Sequence, residues 1–226
     1  MTPTRRYFEK HADAFDRVYA RPHMSTLFLR PGPWRGRELA VSVVARHSSP
    51  AVLDLGCGPG RVAEAVIDAG AATYLGVDLA PNMLALARER LDTLGSVELL
   101  EGDFLDLDIR GEFDVVLALG LFDYLEEPAR AAEWMRAHCS STLVASFTRR
   151  DWVKGPIRRF RYERLHRCPI FDYTEAEAEA LFTDAEFSEV EFAFRGRRGF
   201  LVSARVAGAS APSYDRLASR AQRSTR

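Results

Sequence analysis

The segment AVLDLGCGPGRV, residues 51–62, constrains this chain more than any other stretch. A short apolar run, of strand length, ends on three alternating glycines, Gly56, Gly58 and Gly60, and a helical pattern starts at the next residue. Glycine accepts left-handed dihedrals and lets the backbone come close to a neighbour or a ligand. The helix that follows offers unpaired N–H groups to an anion. A strand running straight into a helix is the opening half of a unit whose strands lie parallel.

The same rhythm continues. Helix 61–69 ends at Gly70, TYLGVDL reads as a second strand, and helix 81–94 has Pro81 in its first turn and Gly95 past its end. VELLEGDF is a third strand, FDVVLALGLF a fourth, 128–138 a helix and STLVASFT a fifth strand. The rhythm breaks at 149–172, a charged and aromatic stretch that reads as a substrate-facing insertion. Thr174 and Glu177 then make a T-x-x-E capping box, and VEFAFRGRRGFLVSARV reads as two strands around a turn. The expectation is an α/β fold in which seven strands form a doubly wound, mostly parallel sheet closed by a C-terminal antiparallel hairpin, with helices on both faces.

Around this frame, residues 5–47 hold helical patterns broken at Pro22, Pro31 and Pro33, and 207–226 is small, polar and basic, which predicts a flexible tail. The chain thus reads as one domain over 1–206, with 1–48 as an N-terminal helical lid. Tyr7, His11, Phe15 and Tyr19 recur every four residues and share one helical face, suited both to core packing and to covering a pocket.

A net charge of −1 over 226 residues lacks the basic footprint of a general nucleic-acid binder. Cys57, Cys139 and Cys168 are odd in number and hold no CxxC pair, which fits free thiols in a reducing cytoplasm and no metal site. MTPTRRYFEKHADAF lacks an apolar signal core, and VVLALGLF is far short of the ~20 residues of a membrane span, so a cytoplasmic location is expected.

The chemistry gathers at successive strand ends. The glycine turn alone fits either a ligand loop or a plain tight turn. It is not the dinucleotide pattern, because Arg61 stands at the sixth place of G-x-G-x-x-G, and no G-K-[ST] follows as a Walker loop needs. Asp78 closes the second strand, where a carboxylate can accept from both hydroxyls of a ribose. Asp103 and Phe104 close the third, where a carboxylate can take an exocyclic amine and a ring can lie against a base.

With VLDLGCGPG, GVDLAPNML, EGDFLDL and FDVVLALGLFDYLEEP in this order, residues 50–205 resemble the class I S-adenosylmethionine-dependent methyltransferases. Within that family the chain looks most like the small bacterial enzymes of small-molecule biosynthesis, such as the O-methyltransferases of ubiquinone and magnesium-protoporphyrin synthesis. The resemblance implies a Rossmann-like fold and S-adenosyl-L-methionine as cofactor, with S-adenosyl-L-homocysteine as its product. It implies that Gly56, Cys57 and Gly58 line the methionine part, with Asp54 near its ammonium and Asp78 on the ribose. Asp103 and Phe104 would take the adenine, Leu79 and Met83 would pack on the base, and Ala118 and Leu119 would turn carbonyls to the ammonium, with Tyr19 on the covering helix. In DAEF, Glu186 stands where the family often has glycine, which puts that turn's geometry in question.

Methyl transfer from a sulfonium is an in-line displacement, so alignment and exclusion of water matter more than acid–base groups. If the acceptor must lose a proton, His166 and then His11 are the candidate bases, while Asp123 and Tyr124 read as wall. The insertion is rich in arginine, and Arg158, Arg161 and Arg164, with Tyr124 and Tyr162, are the candidate contacts to an acidic or aromatic acceptor; the plain alternative is a solvated face. The expected function is transfer of a methyl group to an oxygen or nitrogen of a small metabolite, with no nucleic-acid or membrane-spanning partner. An RNA methyltransferase and a non-catalytic nucleotide-binding module are the alternatives. The first is disfavoured by LGLF standing where a base-amine enzyme carries an N-P-P-[YF]-like motif.

Overall fold

The computed structural model describes residues 2–20, 32–152 and 154–209. Five strands in succession pair in parallel: β1 (Ala51–Leu55), β2 (Thr73–Asp78), β3 (Val97–Glu101), β4 (Phe113–Ala118) and β5 (Cys139–Thr148). β6 (Glu189–Arg195) and β7 (Gly199–Arg205) complete a seven-stranded sheet in the order β3-β2-β1-β4-β5-β7-β6, with β7 antiparallel to both its neighbours. This is the doubly wound, Rossmann-like arrangement with a closing hairpin.

The pleat explains why the central strands carry apolar residues on both faces. Leu53 and Leu55 of β1 join Val116 of β4 in a core with Ala131 and Met135 of α5 (Pro128–Ala137) and Phe182 of α7 (Glu175–Asp184). Val52, Val115 and Leu117 face the other way, onto α2 (Gly32–Val44), α3 (Arg61–Asp68) and α4 (Pro81–Leu91), through Val44, Val66 and Leu84. Strands covered on both faces are therefore mostly apolar along their length, not alternating. The edge strand β6 instead alternates, with Glu189, Glu191 and Arg195 exposed, a polar rim that discourages edge pairing.

Local signals set the element ends. Thr174 Oγ1 accepts from the N–H of Glu177 (3.2 Å), and Glu177 returns a carboxylate oxygen to the N–H of Thr174 (2.8 Å), so the capping box is complete. Several elements stop earlier than the sequence pattern suggests. The helix expected to reach residue 94 ends at Leu91, β3 ends at Glu101 and β4 at Ala118, because apolar residues beyond those points pack from turns. Glu186 adopts φ +65°, so the turn after α7 keeps the left-handed geometry that favours glycine. Phe187 stabilises it, its N–H bonding Phe182 O (3.0 Å) and its ring meeting Phe182 edge-on at 5.7 Å.

β1 lies between β2 and β4, and the chain winds outward from it in both directions, so a crevice opens beyond the carboxyl ends of these strands. α1 (Pro3–Ala20) lies over it. On the far side, the insertion folds as α6 (Lys154–Arg161) and a π-helical turn (Tyr162–His166), and its base is pinned where Arg149 and Tyr173 form a β-bridge.

Candidate active site

Beyond the strand ends is one cavity of about 990 Å³. At its near end the glycine loop is tied down by Gly56 N–H and Cys57 N–H, both donating to Val77 O (2.8 and 3.1 Å). Gly56, Gly58 and Gly60 all have positive φ. A Cβ on Gly58 would meet nothing within 4 Å, so this glycine leaves the loop backbone bare toward the cavity, which it lines. A Cβ on Gly60 would instead sit 3.1 Å from Leu91 and 3.2 Å from Ala87, so there the demand is close packing of α3 on α4.

Asp78 is placed by backbone alone. Its oxygens accept from Gly58 N–H (2.9 Å) and Ala80 N–H (2.8 Å), leaving lone pairs toward the cavity. Burial pushes its carboxyl up, opposed by those bonds. Asp54, only 2% exposed, is the other buried acid. Burial drives its carboxyl to about 7, despite the Tyr74 hydroxyl donating to it at 2.7 Å, and the nearby Asp78 charge adds to the rise. Asp103 follows β3 and accepts from Leu105 N–H (3.1 Å).

Leu79, Met83, Phe104 and Leu119 also line the cavity, together with Cys57. Phe104 also packs into the core, its ring edge-on to Trp134 at 5.1 Å. Ala118 is fully buried and is not among the lining residues; Gly120, whose N–H donates to Ser146 Oγ (2.7 Å), lines the cavity past Leu119.

The covering helix presents Thr4, Phe8 and Phe15, a face that shares only Phe15 with the described residues of the stripe read in the sequence. Tyr7 and His11 do not line the cavity; the Tyr7 ring packs against His11 (4.8 Å) and Tyr162 (5.7 Å). The side chain of Tyr19 lies outside the described residues. Three contacts hold the helix to the rim. Arg5 pairs with Glu101 (2.6 Å), Asn82 donates to Glu9 O (3.1 Å), and Asp16 receives Arg61 through two bonds (2.9 and 2.8 Å) and Arg90 through one (2.9 Å). Burial alone would raise the Asp16 carboxyl, but the two guanidiniums outweigh it and hold it below its usual value. Arg61, which breaks the dinucleotide pattern, therefore ties α1 to the start of α3. Sequence reasoning missed this because Asp16 is 45 residues away.

The far end is built by β5, the insertion and the hairpin turn. Asp123 accepts from Thr148 N–H (2.9 Å) and Thr148 Oγ1 (2.6 Å), and burial pushes its carboxyl up against those bonds. Arg158 donates to Asp172 (2.6 Å) and lies 3.5 Å from Asp123, so the one arginine faces two carboxylates. Tyr124, Arg158 and Tyr162 line the cavity, whereas Arg164 is exposed outside it, its guanidinium 5.9 Å from the Phe160 ring centre. The side chains of Arg161 and His166 lie outside the described residues. Arg149, Arg197, Arg198, Phe194 and Phe200 also line the cavity; Arg149 belongs to the arginine-rich stretch read in the sequence, and the sequence reading had given the other four no role there.

Residues 52–141 match the methyltransferase-domain family model, and the matched stretch is the one that builds the loop, Asp78 and Asp103. Over that stretch the chain is similar to methyltransferase domains. A ribosomal protein L11 methyltransferase of Clostridium botulinum is 42% identical over 81 residues, 35% of this chain and 25% of that protein. A ubiquinone biosynthesis O-methyltransferase of Azorhizobium caulinodans is 37% identical over 154 residues, 63% of this chain and 60% of that protein. The chain thus spans about a quarter of the length of the first of these relatives. In fold it is similar to the magnesium protoporphyrin IX methyltransferase of Synechocystis with bound S-adenosylhomocysteine, at TM-score 0.69 and 20% identity over 90% of this chain and 98% of that one. Among the described residues no helix is long and apolar enough to cross a membrane.

Proposed function

We propose that this chain moves the methyl group of S-adenosylmethionine to an oxygen or nitrogen of a small metabolite. The observation that carries the reading is a single cavity that holds the bare glycine loop, Asp78 and Asp103 at one end and continues past Gly120 to a separate polar end under the insertion. Ligand sites commonly occupy roughly 300–1,000 Å³, and this cavity, at about 990 Å³, has room for a nucleoside and a second molecule.

The residues fit the cofactor. Asp78, fixed by two backbone N–H groups, has lone pairs for ribose hydroxyls; Asp103 can take an amine; Asp54 offers negative charge near the loop to an ammonium. When bound, the cofactor supplies a methyl on a positively charged sulfur. The work left to the chain is alignment. Phe8 and Phe15 close the cavity from above, and Leu119, Gly120 and Leu121 wall the passage toward the acceptor end. Asp123 positions Thr148 and Arg158 there.

Part of the insertion's positive charge is matched by carboxylates, Arg149 by Glu175, Arg150 by Glu177, Arg158 by Asp172 and Arg159 by Glu163, which lowers the charge there available to a phosphate backbone. Titration calorimetry tests the proposal directly. S-adenosylhomocysteine is expected to bind in the micromolar range and NAD not at all; tight NAD binding with no response to S-adenosylhomocysteine overturns it.

A further inference from the structure

The buried acid behind the glycine loop is held by a residue that does not itself line the cavity. Tyr74 is 1% exposed and shares a core with Val52, Val66 and Leu84, yet its hydroxyl donates to Asp54 Oδ2 at 2.7 Å. Among the described residues Asp54 takes no other hydrogen bond and no ion pair, which leaves Oδ1 without a protein donor beside the cavity that Asp54 lines. A buried carboxylate with one donor and no cation is incompletely compensated. A ligand cation would complete it.

The sheet register builds this contact. Asp54 on β1 stands opposite Gly76 on β2, and Tyr74 lies two residues before Gly76, on the same face. A Cβ on Gly76 would be 2.8 Å from the Leu99 side chain, 2.9 Å from Cys57 Sγ and 3.0 Å from the Tyr74 ring. Glycine at 76 therefore leaves the space across which the ring leans to reach the neighbouring strand. Asp78, two residues further on, completes the row, so Y-x-G-x-D puts the phenol, the gap and a second carboxylate on one face of β2.

Apart from Tyr74, the surroundings of Asp54 oppose its ionisation. Asp78 faces it from β2, the Cys57 thiol, itself pushed up by burial and by both acids, faces it from the loop, and apolar Leu117 stands beside it on β4. No titratable side chain of α2 or α3 acts on it among the described residues. Burial drives its carboxyl up to about 7 and Asp78 adds to the rise, so the Tyr74 bond is the one influence that lowers it. Burial and the Asp54 charge raise the Tyr74 phenol in turn, which keeps it protonated, and a donor, through the neutral range.

We propose that Tyr74 is a positioning residue for the cofactor: it holds the Asp54 carboxylate ionised and turned toward the ammonium without touching the ligand itself. The inference rests on the methyltransferase reading, which supplies that ammonium.

The test uses the full chain and two ligands. S-adenosylhomocysteine carries the ammonium; methylthioadenosine has the same nucleoside and thioether without the amino-acid part, so its own pH response accounts for any titration of Asp78. Both are titrated calorimetrically into wild type, Tyr74→Phe and Asp54→Asn between pH 6 and 8.5, and the ratio of the two affinities is the readout. In wild type the ratio favouring S-adenosylhomocysteine should rise with pH through about 7 and then level off. In Tyr74→Phe that rise should move up by about one pH unit, so that the ratio is about fivefold lower at pH 7 and the difference shrinks toward pH 8.5. Asp54→Asn should give a low ratio that does not change with pH. A ratio in Tyr74→Phe that follows wild type, one lowered equally at every pH, or a matching loss of methylthioadenosine binding each overturns the role, the last two because they mark a purely structural one. A wild-type ratio independent of pH overturns it as well. Failure of both ligands to bind wild type is a different result, and counts against the methyltransferase reading itself.

Discussion

The two ends of the cavity are built by opposite means. At the near end the functional groups come from short, contiguous motifs at the tips of neighbouring parallel strands, and backbone N–H groups orient them: Asp78 is held by Gly58 and Ala80, and Asp103 by Leu105. At the far end, groups from β5, the insertion, the segment after it and the hairpin are oriented by one another's charges: Asp123 meets Thr148 and Arg158, and Arg158 meets Asp172. Backbone orientation survives a change of neighbours. Orientation by charge pairs makes each residue depend on several others, so substitutions there should disturb stability as well as binding.

That difference can be broken by four measurements. Asp78→Ala should weaken S-adenosylhomocysteine binding by about 1.5–3 kcal/mol, the scale of hydrogen bonds to a charged group, while the thermal midpoint stays near wild type. A variant that unfolds instead would show that the near end also depends on its side chains. Arg158→Gln should have the reverse profile. It leaves Asp172 and the buried Asp123 without their cation, so unfolding in urea should show a loss of about 1–3 kcal/mol with cofactor affinity unchanged. An unaltered midpoint would remove the claim that this end is held by charge.

The third measurement is pH. Asp54 titrates near 7, and only its ionised form favours an ammonium, so cofactor affinity should rise as pH increases through about 7, by up to about tenfold per unit below it. Stability of the ligand-free chain should move oppositely. The folded state keeps a proton that the unfolded carboxyl has released, so Asp54's contribution is full below about pH 4 and is lost as pH rises toward 7. Flat affinity between pH 5.5 and 8 would place the ammonium elsewhere. Smallest is Arg164→Gln, exposed and outside the cavity, which should change stability by less than about 0.5 kcal/mol and leave both ligands' binding alone. A larger effect would return the insertion to the acceptor site.

The sequence by itself determined the frame and the near end. Apolar runs buried on both faces, glycine where the backbone turns left-handed, proline in a helix's first turn and a capping box are all written within a few residues of where they act. The Glu186 turn shows the limit of such rules, because packing of Phe187 on Phe182 keeps a non-glycine residue at φ +65°. Tertiary structure alone decided the rest. Which residues of α1 cover the cavity, Phe8 beside Phe15 in place of Tyr7 and His11, depends on where Arg5, Asn82 and Asp16 meet their partners. Which arginines are matched by carboxylates depends on pairs far apart in the chain, such as Arg158 with Asp123. Local propensity carries no information about such pairs, since a charge's environment is set only once distant segments pack together. The sequence could therefore show where a cofactor fits and how many arginines there are, but only the fold shows that the one at 158 is matched by Asp172 and Asp123.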